Sequence, residues 1–283
     1  MSYKINKYPD GTSYATVTNL NTTEDTIRIN SYEDLWHLNQ VVDAYNHQGV
    51  VPIVTIPNLL DAQADRRFAD NESSGLKLIC KFLNGMNASF RIFHPHNPEV
   101  VEMMLDNVEI IDNSEFVVKV LDDNLYGNQT ALENSLILMS SDAGGFKPLM
   151  KTCEKIGWKG ETFSAGKARS WSKDGNSKLV QEIDRQDFGG KDILIIDDLS
   201  IYGGTFKGLS KLLKERNCGK LYLAVSHMTV QDLGEDPVTG YFDKVFTTNS
   251  KFNKYYCVDK EVARPNDFDT YNPTNLEVIK LFL

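Results

Sequence analysis

Short β-branched runs alternate along this chain with segments whose apolar residues recur at helical spacing. Val50 to Pro57 reads as a buried strand closed by a proline, since Val, Ile and Thr dominate and proline cannot continue a ladder. Gly75 to Met86 places Leu76, Ile79, Cys80 and Leu83 on one face of a helix. Phe90 to Phe93 predicts the next strand, and Val100 to Leu105 a short helix. Further on, Leu136 to Met139 predicts a strand. Ser140 to Gly145 is then a polar, glycine-rich turn into a helix running to about Lys155. Ile193 to Ile196 is again a strand. The helix that follows it carries Leu209, Leu212 and Leu213 on one side, and Gly219 is expected to stop it in a left-handed conformation. Leu221 to Ser226 completes the series.

Both halves thus repeat strand, polar loop, helix, strand, which predicts an α/β fold around largely parallel sheets. The polar stretch Asp122-Asp123-Asn124 is the expected boundary, giving a first domain of residues 1–125 and a second of 126–283. In open α/β sheets ligands bind at the carboxyl ends of strands. The loops rich in His, Asp and Gly all fall at such ends.

Charge narrows the partners. Asp and Glu outnumber Lys and Arg by 39 to 30, and no dense basic run occurs, which weighs against a nucleic-acid partner. Small phosphorylated substrates stay open, because local cations and a metal can overcome the global sign. No apolar stretch reaches membrane-spanning length and the start lacks a signal-peptide core, so a cytoplasmic protein without a membrane partner is expected. Cys80, Cys153, Cys218 and Cys257 are widely separated, which predicts reduced, buried thiols and no zinc site.

The segment Ile193 to Thr205 carries the clearest chemistry. Asp197 and Asp198 emerge where an apolar strand ends. Ser200, Ile201 and Tyr202 lead to Gly203-Gly204-Thr205 at the start of a helix. Backbone N–H groups there can approach an anion closely, and the helix dipole adds favourable partial charge. Ionised carboxylates accept hydrogen bonds from vicinal hydroxyls. A phosphate cradle beside diol acceptors is the makings of a ribose-phosphate site; read blandly, the aspartates cap a turn and the glycines punctuate it.

This string resembles the binding signature of type I phosphoribosyltransferase folds: an apolar run, Asp-Asp, two residues, then Asp-Thr-Gly-Gly-Thr. The rest of the chain is similar to one branch, the ribose-phosphate pyrophosphokinase (phosphoribosyl-pyrophosphate synthetase) family, whose two tandem domains match the doubled plan. Tyr8-Pro9-Asp10-Gly11 resembles the family's Phe-x-Asp-Gly-Glu segment, which reaches ATP on a neighbouring subunit. Ala62-Gln63-Ala64-Asp65-Arg66-Arg67 sits where the family has Ala-Arg-Gln-Asp-Arg. Phe93-His94-Pro95-His96 matches Val-Asp-Leu-His, whose histidine serves metal and nucleotide. Ser140-Ser141-Asp142-Ala143-Gly144-Gly145 matches Ser-Pro-Asp-Ala-Gly-Gly, whose aspartate is a metal ligand. Ala165-Gly166-Lys167-Ala168-Arg169 falls on the flexible catalytic segment with its Lys-x-Arg pair.

The resemblance implies two tandem phosphoribosyltransferase-like domains and an Mg²⁺-dependent transfer of the β,γ-diphosphate of ATP to the anomeric hydroxyl of a phosphorylated ribose, releasing AMP. It implies Lys167 and Arg169 as catalytic cations, and Tyr8, Asp10, Gln63, Asp65 and His96 around ATP. His96 and Asp142 would serve the metal, and Asp197, Asp198, Ser200, Ile201, Tyr202, Gly203, Gly204 and Thr205 the acceptor. A homo-oligomer follows if Tyr8 and Asp10 reach a neighbouring copy. His37, His47, His227, Trp36, Trp158 and Trp171 are expected to be structural.

Two departures bear on substrate. The family's Asp-Thr before Gly-Gly-Thr is here Ile201-Tyr202, which removes a carboxylate and a hydroxyl and adds apolar surface. That favours an acceptor extended beyond its 5′-phosphate, such as ADP-ribose, with ribose 5-phosphate close behind. At the ATP segment the family's Arg-Gln is Gln63-Ala64, which weakens nucleotide contacts. It raises the alternatives of a non-catalytic regulatory homologue or a true phosphoribosyltransferase. Lys167, Arg169, His96 and Asp142 argue against the first, and the doubled plan against the second.

Overall fold

A computed structural model describes residues 2–67, 69–125, 129–171, 177–229, 236–252 and 275–282. The chain divides into two compact units, residues 1–112 with 281–283, and residues 113–280.

The first unit opens with an antiparallel hairpin of β1 (Tyr3–Lys7) and β2 (Ser13–Val17). A parallel sheet follows in simple sequential order: β3 (Glu24–Thr26), β4 (Ile53–Ile56), β5 (Ser89–Phe93) and β6 (Val108–Ile111). Helices α1 (Tyr32–His47), α2 (Gly75–Asn84) and α3 (Pro98–Met104) connect these strands. Ser31 starts α1 with a capping box: its hydroxyl accepts from the Asp34 N–H, and the Asp34 carboxylate accepts from the Ser31 N–H. The core joins Val54, Ile56, Phe90 and Ile92 of the sheet to Leu38, Val41, Leu76, Ile79 and Leu83 of the helices. A buried aspartate, Asp25, is satisfied there by the Tyr45 hydroxyl at 2.7 Å and the Ser2 N–H at 2.9 Å.

The second unit begins with α4 (Ser114–Val120), a π-helical turn (Leu121–Leu125) and α5 (Gln129–Ser135). Then come β7 (Leu136–Ser140), α6 (Ala143–Ile156) and β8 (Glu161–Ser164). A second hairpin, β9 (Gly166–Trp171) with β10 (Ser177–Glu182), is antiparallel and separate from the main sheet. The chain continues through β11 (Asp192–Ser200), α7 (Gly204–Glu215), β12 (Leu221–Met228), β13 (Lys244–Thr248) and β14 (Leu276–Ile279). The main sheet is parallel throughout, in the order β14-β13-β12-β11-β7-β8. Every residue of β7 and β12 is buried, as a central parallel strand requires.

Two expectations shift. The division falls at residues 112/113, thirteen residues before 125/126, because α4 is a buried element of the second unit. Phe116, Val117 and Val120 are fully buried as α4 packs on α6 and β12, and the Thr152 hydroxyl of α6 donates to Asn113 Oδ1 at 2.8 Å. The left-handed residue after α7 is Asn217, at φ 57°, and not Gly219. Gly219 is needed for closeness: a Cβ there would lie 2.4 Å from Asp192 Oδ1 and 2.5 Å from the Gly190 carbonyl oxygen. The fold is otherwise the expected α/β one. Cys80 and Cys153 are buried free thiols, Cys218 is half-buried and free, and Cys257 lies outside the described residues.

Candidate active site

Sheet order locates the candidate site in the second unit. From β7 the chain steps to β8 on one side and then to β11 on the other, so the strand order reverses between β7 and β11. Loops leave the carboxyl ends of two such strands in opposite directions and open a crevice between them. The two loops here are Ser141-Asp142, leading into α6, and Ile201 to Gly203, both singled out by the sequence. The first of them bonds the neighbouring strand: the Ser141 hydroxyl donates to Asp197 Oδ2 of β11.

Asp197 and Asp198 are the sixth and seventh residues of the nine-residue β11, so they sit on a strand and not in a free loop. The pleat holds them more rigidly than a loop would. Asp197 Oδ1 accepts the Asp198 backbone N–H at 2.9 Å. Desolvation and the neighbouring Asp198 charge push the Asp197 carboxyl up to about 7, with the Ser141 bond working in the opposite direction. Ser200 ends the strand fully buried, its carbonyl accepting the Thr229 N–H at 3.0 Å. Gly203 is the N-cap of α7 at φ 67°, a conformation open to glycine, and it turns the chain so that the first amides of the helix lack intrahelical acceptors. A Cβ built on Gly204 meets nothing within 4 Å, so open space lies beside this residue in the first turn of the helix. Ile201 and Tyr202 are exposed, Tyr202 by 68%.

Asp142 starts α6, its Oδ1 accepting the Gly145 N–H at 3.0 Å. Lys167 and Arg169 lie two positions apart on β9, opposite Gln181 and Leu179 of β10. Their segment was expected as a loop and is the strand of a hairpin; their side chains lie outside what is described.

In the first unit the loops after β4 and β5 come together. Asn97 Nδ2 donates to Asp65 Oδ2 at 3.3 Å, and Arg66 Nε donates to Asp65 Oδ1 at 3.1 Å. Desolvation works against ionisation of Asp65, yet Arg66, Asn97 and the nearby His96 hold its carboxyl below the ordinary range. Gln63 and His96 are exposed beside this pair. Tyr8 and Asp10 occupy the β1–β2 turn. Asp10 accepts from the Thr12 N–H and hydroxyl at 3.0 and 2.7 Å, which lowers its pKa, and the Tyr8 ring packs on Tyr14 with centroids 4.6 Å apart.

Among the described residues no three His, Cys, Asp or Glu side chains converge as a metal cage. A magnesium ion carried on substrate phosphates asks for one or two protein oxygens and keeps its remaining waters. Asp142, a hard oxygen donor at the crevice, fits that demand. His96, a softer donor in the first unit, is better matched to a phosphate or a metal-bound water.

Two residues of this arrangement escaped the sequence reading. Asn97 precedes Pro98 at a helix start, a legible N-cap pattern, but its bond to Asp65 is not local. Ser141 stands where the resembled pattern has proline, and that difference was the available clue. His227 is buried on β12 with Nδ1 2.9 Å from the Ser250 hydroxyl.

Fold and crevice together define an open parallel α/β protein with a candidate anion site where the strand order reverses. No family model matches the chain. The ribose-phosphate pyrophosphokinase of Pyrococcus abyssi is 23% identical to it over 256 residues, covering 88% of this chain and 84% of that one. That of Thermococcus kodakarensis is 20% identical over 255 residues, covering 88% and 86%. The crystal structure of phosphoribosylpyrophosphate synthetase from Mycobacterium smegmatis shares the fold with a TM-score of 0.70 at 16% identity, over 98% of this chain and 85% of that one. The proteins that this chain resembles over most of its length are therefore the ribose-phosphate pyrophosphokinases.

Proposed function

We propose that this protein is a diphosphotransferase of the ribose-phosphate pyrophosphokinase type. It moves the β,γ-diphosphate of ATP to the anomeric hydroxyl of a 5-phosphorylated ribose and releases AMP. The observation that carries this is the crevice between β7 and β11, where paired aspartates adjoin an open helix start on one strand and Asp142 follows the other.

Asp197 and Asp198 accept hydrogen bonds from the ribose hydroxyls and fix the sugar. Amides of Gly204 and Thr205 cradle its 5′-phosphate. The anomeric oxygen attacks the β-phosphorus, the bond from that phosphorus to the α,β-bridging oxygen breaks, AMP leaves, and the hydroxyl proton passes to solvent. Lys167 and Arg169 donate charge-assisted hydrogen bonds to oxygens on the attacked phosphorus. Asp142 would hold Mg²⁺, which when bound neutralises triphosphate charge. Asp65, Gln63 and His96 contact ATP, and Tyr8 and Asp10 complete that site in a homo-oligomer.

For the acceptor, we favour a ribose extended beyond its 5′-phosphate, ADP-ribose. Tyr202 stands exposed beside the cradle, where a ring can stack on a base for about 1–3 kcal/mol. Ribose 5-phosphate is the second reading, favoured by the name that all the relatives above carry. Incubation with ATP, Mg²⁺ and each acceptor, followed by AMP and acceptor mass, decides both questions. AMP release with a diphosphate gain on the acceptor is expected. Its absence with both acceptors rules out the reaction, and faster turnover of ribose 5-phosphate rules out the extended acceptor.

A further inference from the structure

We propose that Ser141 is a positioning residue for the acceptor ribose, orienting the Asp197 carboxylate from the opposite wall of the crevice. The inference rests on Asp197 and Asp198 being the diol-binding pair.

Ser141 is 3% exposed and donates its hydroxyl proton to Asp197 Oδ2. The other oxygen, Oδ1, accepts the Asp198 N–H at 2.9 Å. Each carboxylate oxygen therefore has one protein donor, so the plane of the group is fixed and its remaining lone pairs point in set directions. A diol brings two hydroxyl donors of fixed spacing, and it gains most from acceptors that are already oriented.

In this desolvated crevice the Asp197 carboxylate, beside a second acid, needs a protein donor to be held ionised and oriented. Ser141 supplies that donor. Its geometry comes from the sheet itself: Ser140 and Ile196 are register partners on adjacent parallel strands, and Ser141 and Asp197 are the next residue of each. Turn formation is handled by the neighbouring serine. Ser140 Oγ donates to the Asp142 carbonyl at 2.9 Å and bonds Ser164 Oγ at 3.0 Å. The Ser141 hydroxyl is directed at Asp197.

The test uses the full-length protein and the variants Ser141→Ala and Ser141→Thr. Acceptor binding is measured by calorimetry with ribose 5-phosphate and with ADP-ribose, alongside two-substrate kinetics and thermal unfolding. Losing a hydrogen bond to a charged group predicts a rise of about 5- to 10-fold in acceptor Kd and KM for the alanine variant. Its KM for ATP should stay within about twofold, and threonine, which keeps the hydroxyl, should restore acceptor affinity and any lost Tm together. An alanine variant that binds acceptor as wild type does would overturn the role of Ser141 alone. A rise in both KM values, or a loss with threonine equal to that with alanine, would reduce it to packing. If the wild-type protein binds neither acceptor, the diol reading fails and the positioning role fails with it.

Discussion

At the residue scale, Asp197 is the most consequential group. Its pKa is raised from 3.8 to about 7 by desolvation and by Asp198. The folded protein thus holds this proton more tightly than the unfolded chain does. The associated stability is complete below about pH 4 and is lost as pH climbs through about 7. Ligand-free protein should therefore lose stability between pH 5 and 8, and Asp197→Asn should not share that loss; thermal unfolding at the two pH values is the measurement. A variant whose Tm falls as wild type's does would exclude Asp197 as the source. Under the proposed function acceptor binding should run the other way, because an ionised Asp197 accepts a hydroxyl with either oxygen and a protonated one offers a competing donor. Acceptor affinity should rise with pH through the same window and be lost in Asp197→Asn. Stability and binding thus conflict at one atom group, as expected where a site holds a desolvated charge for its ligand.

At the element scale, β11 and α7 show how much of the site local sequence controls. The apolar run, the paired aspartates and the glycine pair specify a strand, a turn and a helix start without help from the rest of the chain. The helix α1 is absent from the sequence expectation, although Leu35, Leu38, Val41, Val42 and Tyr45 recur at helical spacing behind a Ser31 cap. Strand limits were less legible. The sequence expectation ended this strand at Ile196, where the apolar run stops, yet pairing with β12 continues to Ser200. Polar residues remain in a strand when neighbouring strands supply the ladder. The close approach at Gly219 belongs here too. Gly219→Ala should destabilise the protein by about 1–3 kcal/mol, because the added Cβ strikes backbone and the fixed Asp192 side chain. Urea unfolding measures this, and an unchanged midpoint would show that the β11–α7 framework yields easily.

At the scale of the whole molecule, the proposed function assigns Asp65, Gln63 and His96 of the first unit to the nucleotide and Asp197 and Asp198 of the second to the acceptor. Asp65→Ala and His96→Ala should raise KM for ATP, each by roughly tenfold, while leaving acceptor Kd unchanged. Asp198→Ala should do the reverse. Two-substrate kinetics with independent acceptor titrations would show it, and a first-unit variant that weakens acceptor binding would contradict the division of labour.

The sequence by itself determined, in outline, β4, α2, β5, α3, β7, α6, β11, α7 and β12 and the chemical inventory of the segment from Asp197 to Thr205, but not α1 or the two hairpins. These follow from periodicity and from residues within one or two turns of each other. Only the tertiary structure decided which loops face one another. Ser141 and Asp197 are 56 residues apart, Asn97 and Asp65 are 32 apart, and neither pair shares a local pattern. They meet because parallel strands place distant carboxyl ends side by side, and strand order is set by packing across the whole sheet. The same non-local packing moved residues 113–125 into the second unit, where the burial of Phe116, Val117 and Val120 outweighs the polar stretch that follows them.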